Sequence, residues 1–135
     1  MVGDHGRGAW RFRHILVMDM YQRKDIGIPK VLITIYMQAC ALDVTLDLLS
    51  YNSVLTAIVD DADTPALARL DQASDVVQTM RARGISPDSR SYECVIDLCI
   101  SAGQTNAALF NLKAMRDAGY QPSAYVRGRV VVHVV

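Results

Sequence analysis

The residues of this chain that could catalyse a reaction or hold a metal ion are few and widely spaced. Three cysteines lie inside apolar runs and three histidines are scattered: Cys40, Cys94, Cys99, His5, His14 and His133. A zinc site needs pairs of such ligands at short spacings, and no Cys-x-x-Cys or Cys-x-x-His pair occurs. We therefore expect no metal and no cofactor, and interpret the cysteines as reduced thiols of a non-secreted protein.

Other catalytic patterns are also absent from the sequence. The acidic run Asp60, Asp61 and Asp63 lacks the remaining ligands of a calcium loop, and we interpret it as a solvated turn. There is no phosphate-binding glycine loop, no nucleophile elbow, and no carboxylate paired with a histidine in a shared context. We expect no catalytic residues and no enzymatic activity.

Length and composition indicate one domain with a modest core, since the chain has 135 residues, of which 51% are hydrophobic. The longest apolar run, 30–42, includes Lys30 and Gln38 and is shorter than the ~20 residues of a membrane span, so we expect no membrane association. A net charge of zero gives no electrostatic argument for binding nucleic acid.

One phrase occurs twice in the chain. "MRARGISP" at 80–87 and "MRDAGYQP" at 115–122 are offset by 35 residues. Basic side chains, then glycine, then proline three residues later are typical of a helix end. Upstream of each end lie apolar residues at the i, i+3, i+4, i+7 spacing of amphipathic helices.

Each unit consists of two such helices, a first helix and a second helix. When the two pack together, one apolar face of the pair remains uncovered, so units of this kind stack to bury it. The sequence therefore predicts an all-α fold of about seven helices, in stacked antiparallel pairs that form an α-solenoid. One unit spans 48–88 and the next 89–123; the excess length of the first is assigned to the interhelical loop at 62–67. The predicted core is Tyr51, Val54, Leu55, Ile58, Val76, Val77, Met80, Tyr92, Val95, Ile96, Cys99, Ala108, Leu112 and Met115.

The flanks are less regular. Residues 1–13 are expected to be frayed, with an organellar transit peptide as the alternative, and 14–47 to form degenerate helical repeats. Within these, 14–25 fits a second helix, and 35–41 a first helix whose face carries Ile33, Tyr36, Met37 and Cys40. Residues 124–135 are expected to be a partial repeat or a C-terminal tail, since Gly128 and several valines weaken helix propensity.

Residues 48–123 resemble the pentatricopeptide repeat family. Its units have the same length, open near a Thr-Tyr-Asn-like phrase and close on Met-x-x-x-Gly-[Ile/Val]-x-Pro-Asp. "LLSYNSVL" at 48–55 with "MRARGISPD" at 80–88 matches one unit, and 91–103 with 115–123 a second. The resemblance implies binding of single-stranded RNA, at about one base per repeat, by proteins of mitochondria or chloroplasts.

In that family two side chains of each unit read the base edge and a third packs against the base faces. Carried onto this chain, the base-reading residues are Asn52 with Asp88 and, more weakly, Glu93 with Ser123. The base-stacking residues are Leu49 and Arg90. An amide with a carboxylate supplies donors and acceptors for a pyrimidine edge, whereas the carboxylate of Glu93 is unfavourable near phosphate.

Structural roles compete with these assignments. Asn52 fits a first-turn helix residue bonded to its own backbone, Asp88 fits a helix N-cap, and Arg90 fits a solvated side chain. Two functions remain open. The first is binding of single-stranded RNA, in RNA processing, stability or translation, and only together with further repeats. The second is a scaffold for protein partners, which zero net charge and thirteen aspartates favour.

Overall fold

The computed structural model describes residues 28–133, which form six α-helices joined by short turns. α1 spans Ile28–Ala41, α2 Leu48–Asp60, α3 Ala66–Ala82, α4 Ser89–Ser101, α5 Thr105–Asp117 and α6 Ala124–His133. The described residues contain helices and no strand, so the all-α prediction is confirmed. The predicted frayed segment 1–13, the predicted helix 14–25 and residues 134–135 lie outside the described range.

The helices stack as repeated pairs. α2, α4 and α6 are neighbours in one layer, since α4 packs against both of the others. α3 packs against α2 and α4, α5 packs against α4, and α1 packs against α2. Each second helix therefore covers the first helix of its own unit, and α3 also covers the next first helix. This is the predicted α-solenoid.

The apolar stripes of these helices meet in one continuous core. Of the fourteen residues predicted from periodicity, thirteen are buried and Val77 is half-buried against the same cluster. Tyrosines near the start of each first helix contact other aromatic rings, since Tyr51 lies edge-on to Tyr36 of α1 and Tyr92 lies against Tyr120, which follows α5. Helical spacing thus identified the buried faces of α2, α3, α4 and α5 correctly.

The two repeated phrases end their helices in the same way. The N–H of Ile85 donates to the Met80 carbonyl at 2.9 Å, and the N–H of Tyr120 donates to the Met115 carbonyl at 3.1 Å. The residue before each donor is a glycine with positive φ, 82° at Gly84 and 93° at Gly119. This is the glycine-closed helix end that the phrase predicts.

A third end of the same kind closes α1. The N–H of Val44 donates to the Ala39 carbonyl at 2.9 Å, and Asp43, with φ of 55°, occupies the glycine position. α1 also packs against α2 as α3 packs against α4. The donor that closes α1, Val44, lies three residues before the N-cap of α2, Asp47, as Ile85 lies three residues before the N-cap of α4, Asp88. The interpretation of 35–41 as a first helix is wrong, because α1 thus occupies the place of a second helix. Met37, assigned to its apolar face, is 65% exposed.

The extra length of the first unit lies mainly in a helix. α3 has 17 residues where α5 has 13, whereas the interhelical turns, 61–65 and 102–104, differ by only two residues. The expected insertion in the loop is thus a smaller part of the difference. Asp61 in this turn is buried and accepts a hydrogen bond from Thr64, so it is not simply solvated.

Residues 124–133 continue the repeat. α6 packs against α4 through the buried side chains Val126 and Val130. Burial of these two residues explains why the segment is helical despite Gly128 and a run of valines, since tertiary packing outweighs weak propensity. The described part of 124–135 is thus a helix packed on α4, which favours the partial repeat over the tail.

Two glycines should respond in opposite ways to the same substitution. Gly119→Ala places a side chain at positive φ and is expected to lower the free energy of unfolding by about 1–2 kcal/mol. Gly128→Ala lies inside α6, where an added Cβ meets no atom within 4 Å, and is expected to raise it by about 0.5–1 kcal/mol. Urea denaturation followed by circular dichroism measures both. Equal effects of one sign would contradict the assigned helix end.

Candidate nucleic-acid interface

The two predicted base-reading residues of the first unit are in direct contact. Asn52 lies in the second turn of α2, and Asp88 is the N-cap of α4. The amide nitrogen of Asn52 donates to Oδ1 of Asp88 at 3.0 Å, although the two residues are 36 positions apart. Stacking of α2 on α4 brings them together, so the pair spans the junction between two units.

Ser91 completes a three-residue network. Its hydroxyl donates to the side-chain carbonyl of Asn52 at 2.5 Å and lies 3.1 Å from Oδ1 of Asp88. Its backbone N–H donates to the same carboxylate oxygen, and its hydroxyl accepts from the Asp88 backbone N–H, which forms a capping box. Ser91 is fully buried, and Asn52 keeps only 9% of its surface exposed.

The network keeps Asp88 ionised. Burial raises the pKa of its carboxyl, but hydrogen bonds from Ser91 and from the Asn52 amide outweigh this effect. The pKa of Asp88 therefore lies below its ordinary value. At neutral pH the carboxylate is charged and can only accept hydrogen bonds.

The structural roles considered for these residues are partly realised. Asp88 is an N-cap, as the alternative interpretation held. Asn52, however, directs its amide to Asp88, the last residue of its own unit, and to Ser91 of the next unit, and not to the backbone of α2. The base-reading role of the pair stays a prediction.

The corresponding residues of the second unit also meet, through different groups. Oε2 of Glu93 accepts the backbone N–H of Ser123 at 2.9 Å. The hydroxyl of Ser123 in turn accepts the N–H of Val126 at 3.3 Å and caps α6. Glu93 therefore accepts a hydrogen bond from one backbone N–H at the start of α6, where a negative charge is favourable. This bond gives its carboxylate a structural role.

The two predicted base-stacking residues differ in whether a hydrogen bond holds the side chain. Leu49 is 75% exposed at the start of α2. The guanidinium of Arg90 reaches back across the junction and donates to the hydroxyl of Thr56 at 3.1 Å. Arg90 is therefore exposed but bonded, rather than simply solvated.

We define the first-helix face as the side chains that α2, α4 and α6 place beside one another: Leu49, Asn52, Thr56, Arg90, Glu93, Asp97, Tyr125 and Arg129. Its charges are mixed. Arg129 forms an ion pair with Asp97, and Arg90 is bonded to Thr56. A basic stripe, which would favour RNA, does not run along this face of the described residues.

The cysteines belong to the core. Burial raises the pKa of the Cys99 thiol to about 11, and burial likewise raises the pKa of Cys94. Both thiols are therefore protonated at neutral pH. Between Ile28 and His133 no group of three or more His, Cys, Asp or Glu side chains could hold a metal ion. None of the six helices is both long and apolar enough to cross a membrane.

Sequence reasoning missed Ser91, the residue that links Asn52 to Asp88. A signal was present, since the Asp-x-x-Ser spacing from Asp88 to Ser91 is that of a capping box. The contact with Asn52 could not be read from this spacing, because it depends on how α2 and α4 stack.

The fold and this junction define a helical-repeat protein in which side chains of successive units meet on one face. A family model described as the pentacotripeptide-repeat region of PRORP matches residues 19–126. The match covers well over half of the 135 residues, and the chain belongs to this family. Proteins of the family generally bind RNA. No curated protein matches the chain.

Proposed function

We propose that this chain is a single-stranded-RNA-binding segment of a helical-repeat protein, and that Asn52 and Asp88 read the edge of one pyrimidine base. One observation supports it most directly. The amide nitrogen of Asn52 and Oδ1 of Asp88, the two predicted base-reading residues of the first unit, lie 3.0 Å apart where α2 meets the start of α4. The chain acts by binding, with no cofactor and no catalytic residue.

The second unit contributes less to binding. Its carboxylate at Glu93 is bonded to the N-terminus of α6, and Ser123 caps the same helix. Stacking and edge contacts contribute about 1–3 kcal/mol per base, so two units supply on the order of 2–6 kcal/mol. We expect affinities no tighter than roughly 0.1 mM. Further repeats raise the affinity through effective concentration.

Membership of the family supports a proposal for the cellular role. We place the protein in mitochondria or chloroplasts, acting on transcripts in processing, stability or translation. Microscopy of the chain fused to a fluorescent protein tests this placement. Signal confined to the cytoplasm would contradict it for the segment as given.

A graft tests the reading pair. Residues 48–88 are placed in a longer pentatricopeptide array, and binding is measured with RNAs that differ only at the base facing the graft. We expect a preference for a pyrimidine, uracil above all, because the amide and carboxylate complement its edge. Asn52→Ala should abolish this preference while circular dichroism shows the same helicity.

The matched control is Ser53→Ala, because the Ser53 hydroxyl bonds to the Leu49 carbonyl of its own helix. This variant should keep the base preference. A preference that survives Asn52→Ala would assign Asn52 a structural role.

The second candidate function is a scaffold for a protein partner. The mixed charge of the first-helix face favours it, because Asp97 and Glu93 would repel a phosphate backbone. Retention of the base preference in Asn52→Ala would make this candidate the leading one.

A further inference from the structure

We propose that a groove on the second-helix side of the stack binds an extended segment of a partner protein, which inserts an aromatic side chain beside Val77 and places a carboxylate at Arg81. The groove lies between α3 and α5, with α4 as its floor, and has a volume of about 290 Å³. None of the residues of the first-helix face lines it. The proposal is therefore independent of the RNA-binding function.

The groove is open because α3 carries a small side chain where α1 carries a large one. The closing bonds of Val44 and Ile85 set the two units in register at an offset of 41 residues, on which Tyr36 corresponds to Val77. The phenol of Tyr36 reaches across to the Thr79 side chain, so it bridges α1 and α3. Val77 is too short to bridge α3 and α5 in this way, and the space beside it stays open.

The floor of the groove is suited to an aromatic ring. Tyr92 lines this floor and corresponds to Tyr51 on the same offset. Tyr51 packs edge-on against Tyr36, with ring centroids 6.2 Å apart. A ring inserted beside Val77 would meet Tyr92 in the same way, and such ring pairs add to the stabilisation from apolar burial. Val95 supplies further apolar surface beside Tyr92.

Opposite charges lie at the two ends of the groove. Asp71 and Arg81 line it ten residues apart on α3, which is about 15 Å along the helix. Arg81 donates to the Tyr92 hydroxyl at 3.3 Å and forms no ion pair with any residue from 28 to 133. An extended chain with a basic, an aromatic and an acidic residue at alternate positions spans about 13 Å on one face. Such a segment complements both ends of the groove at once.

Short peptides of defined charge test the site. The probe is N-acetyl-Lys-Ala-Tyr-Ala-Glu-amide, and two control peptides replace its tyrosine by alanine or its glutamate by lysine. The lysine control cannot place a carboxylate at Arg81 in either chain direction. Each peptide is titrated to millimolar concentration into the whole 135-residue chain, and shifts of the Val95 methyl signals are followed by nuclear magnetic resonance.

The two controls should lose different amounts of affinity. The alanine control should bind at least about tenfold more weakly than the probe, because burial of an aromatic side chain is lost. The lysine control should bind about two- to fivefold more weakly, as expected for one exposed ion pair.

Substitutions in the chain locate the bound peptide. Val77→Tyr supplies from within the ring that Tyr36 supplies between α1 and α3, and should abolish binding of the probe while circular dichroism shows the same helicity. Leu67→Tyr is the matched control, because Leu67 is 55% exposed on the same helix and does not line the groove. Arg81→Gln should remove the difference between the probe and the lysine control. Arg116→Gln, at the equivalent place on α5, should keep it.

Several results would overturn the proposal. These are no shift of Val95 with the probe, equal affinity for the probe and the alanine control, and unchanged binding by folded Val77→Tyr. Shifts of Val95 that depend on the concentration of the chain alone would assign the groove to a second copy. Binding of N-acetyltyrosine as tight as that of the probe would assign it to a small molecule and would equally contradict a partner segment.

Discussion

Replacing Leu55 by alanine is expected to lower the free energy of unfolding by about 2–5 kcal/mol, which is a large part of the stability of a small domain. Leu55 is fully buried, and α2 packs against α1, α3 and α4. Truncation therefore removes apolar contacts in the middle of the stack and leaves a cavity. Thermal and urea denaturation measure the loss.

The same substitution at Leu49, six residues earlier in α2, provides the control. Leu49 is 75% exposed, so Leu49→Ala should change the stability by less than about 0.5 kcal/mol. Both variants remove the same atoms from the same helix, and helix propensity therefore cancels in the comparison. Similar losses in the two variants would contradict the assigned register of α2.

The register of the helices could be predicted because it depends on spacing alone. Residues such as Leu55 and Ile96 recur at helical intervals, and one face of each helix must be buried against the next. Val77 is the exception among the predicted core residues: it is half-buried at the edge of the open groove that α3 lines. Spacing identifies the face of a helix and not how completely it is covered.

The position of α1 could not be predicted from the repeated phrase, because none of the four residues that its two copies share (Met, Arg, Gly and Pro) recurs there: the corresponding residues are Ala39, Cys40, Asp43 and Leu46. Asp43 stands where the other units have glycine, and Leu46 stands where they have Pro87 and Pro122. Asp43 nevertheless adopts positive φ, which aspartate tolerates better than most residues. The backbone thus repeats where the sequence does not.

The candidate site was predicted in part. Asn52 and Asp88 were paired by resemblance, and the structure places their side chains in contact. Ser91 was missed because its contact with Asn52 depends on the stacking of two helices that are far apart in sequence. The ion pair between Arg129 and Asp97 could not be predicted for the same reason, because it also joins two helices that are far apart in sequence.

Replacing Asp88 by alanine is expected to have the largest effect of any polar substitution in the described chain. Asp88 caps α4 and also accepts from the Asn52 amide. Alanine removes the cap and leaves the buried groups of Asn52 and Ser91 without their acceptor, at a combined cost of about 2–4 kcal/mol. Ser123→Ala removes a cap alone, at the start of α6, and should cost about 0.5–1 kcal/mol. Equal losses would show that the contact with Asn52 adds nothing.

The stabilisation by Asp88 should also depend on pH, with a sign that the lowered pKa determines. A carboxyl whose pKa is lower in the folded than in the unfolded state stabilises the fold fully above the unfolded value, about 3.9 for aspartate. That contribution is lost as the pH falls through the folded pKa. Asp88→Asn keeps a side chain suited to capping but has no proton to bind. The difference in unfolding free energy between the parent and Asp88→Asn should therefore be constant from pH 5 to 7 and should shrink below about pH 4. Urea denaturation across this range measures it, and a difference that stays constant into acid would mean that the folded protein does not lower the pKa of Asp88.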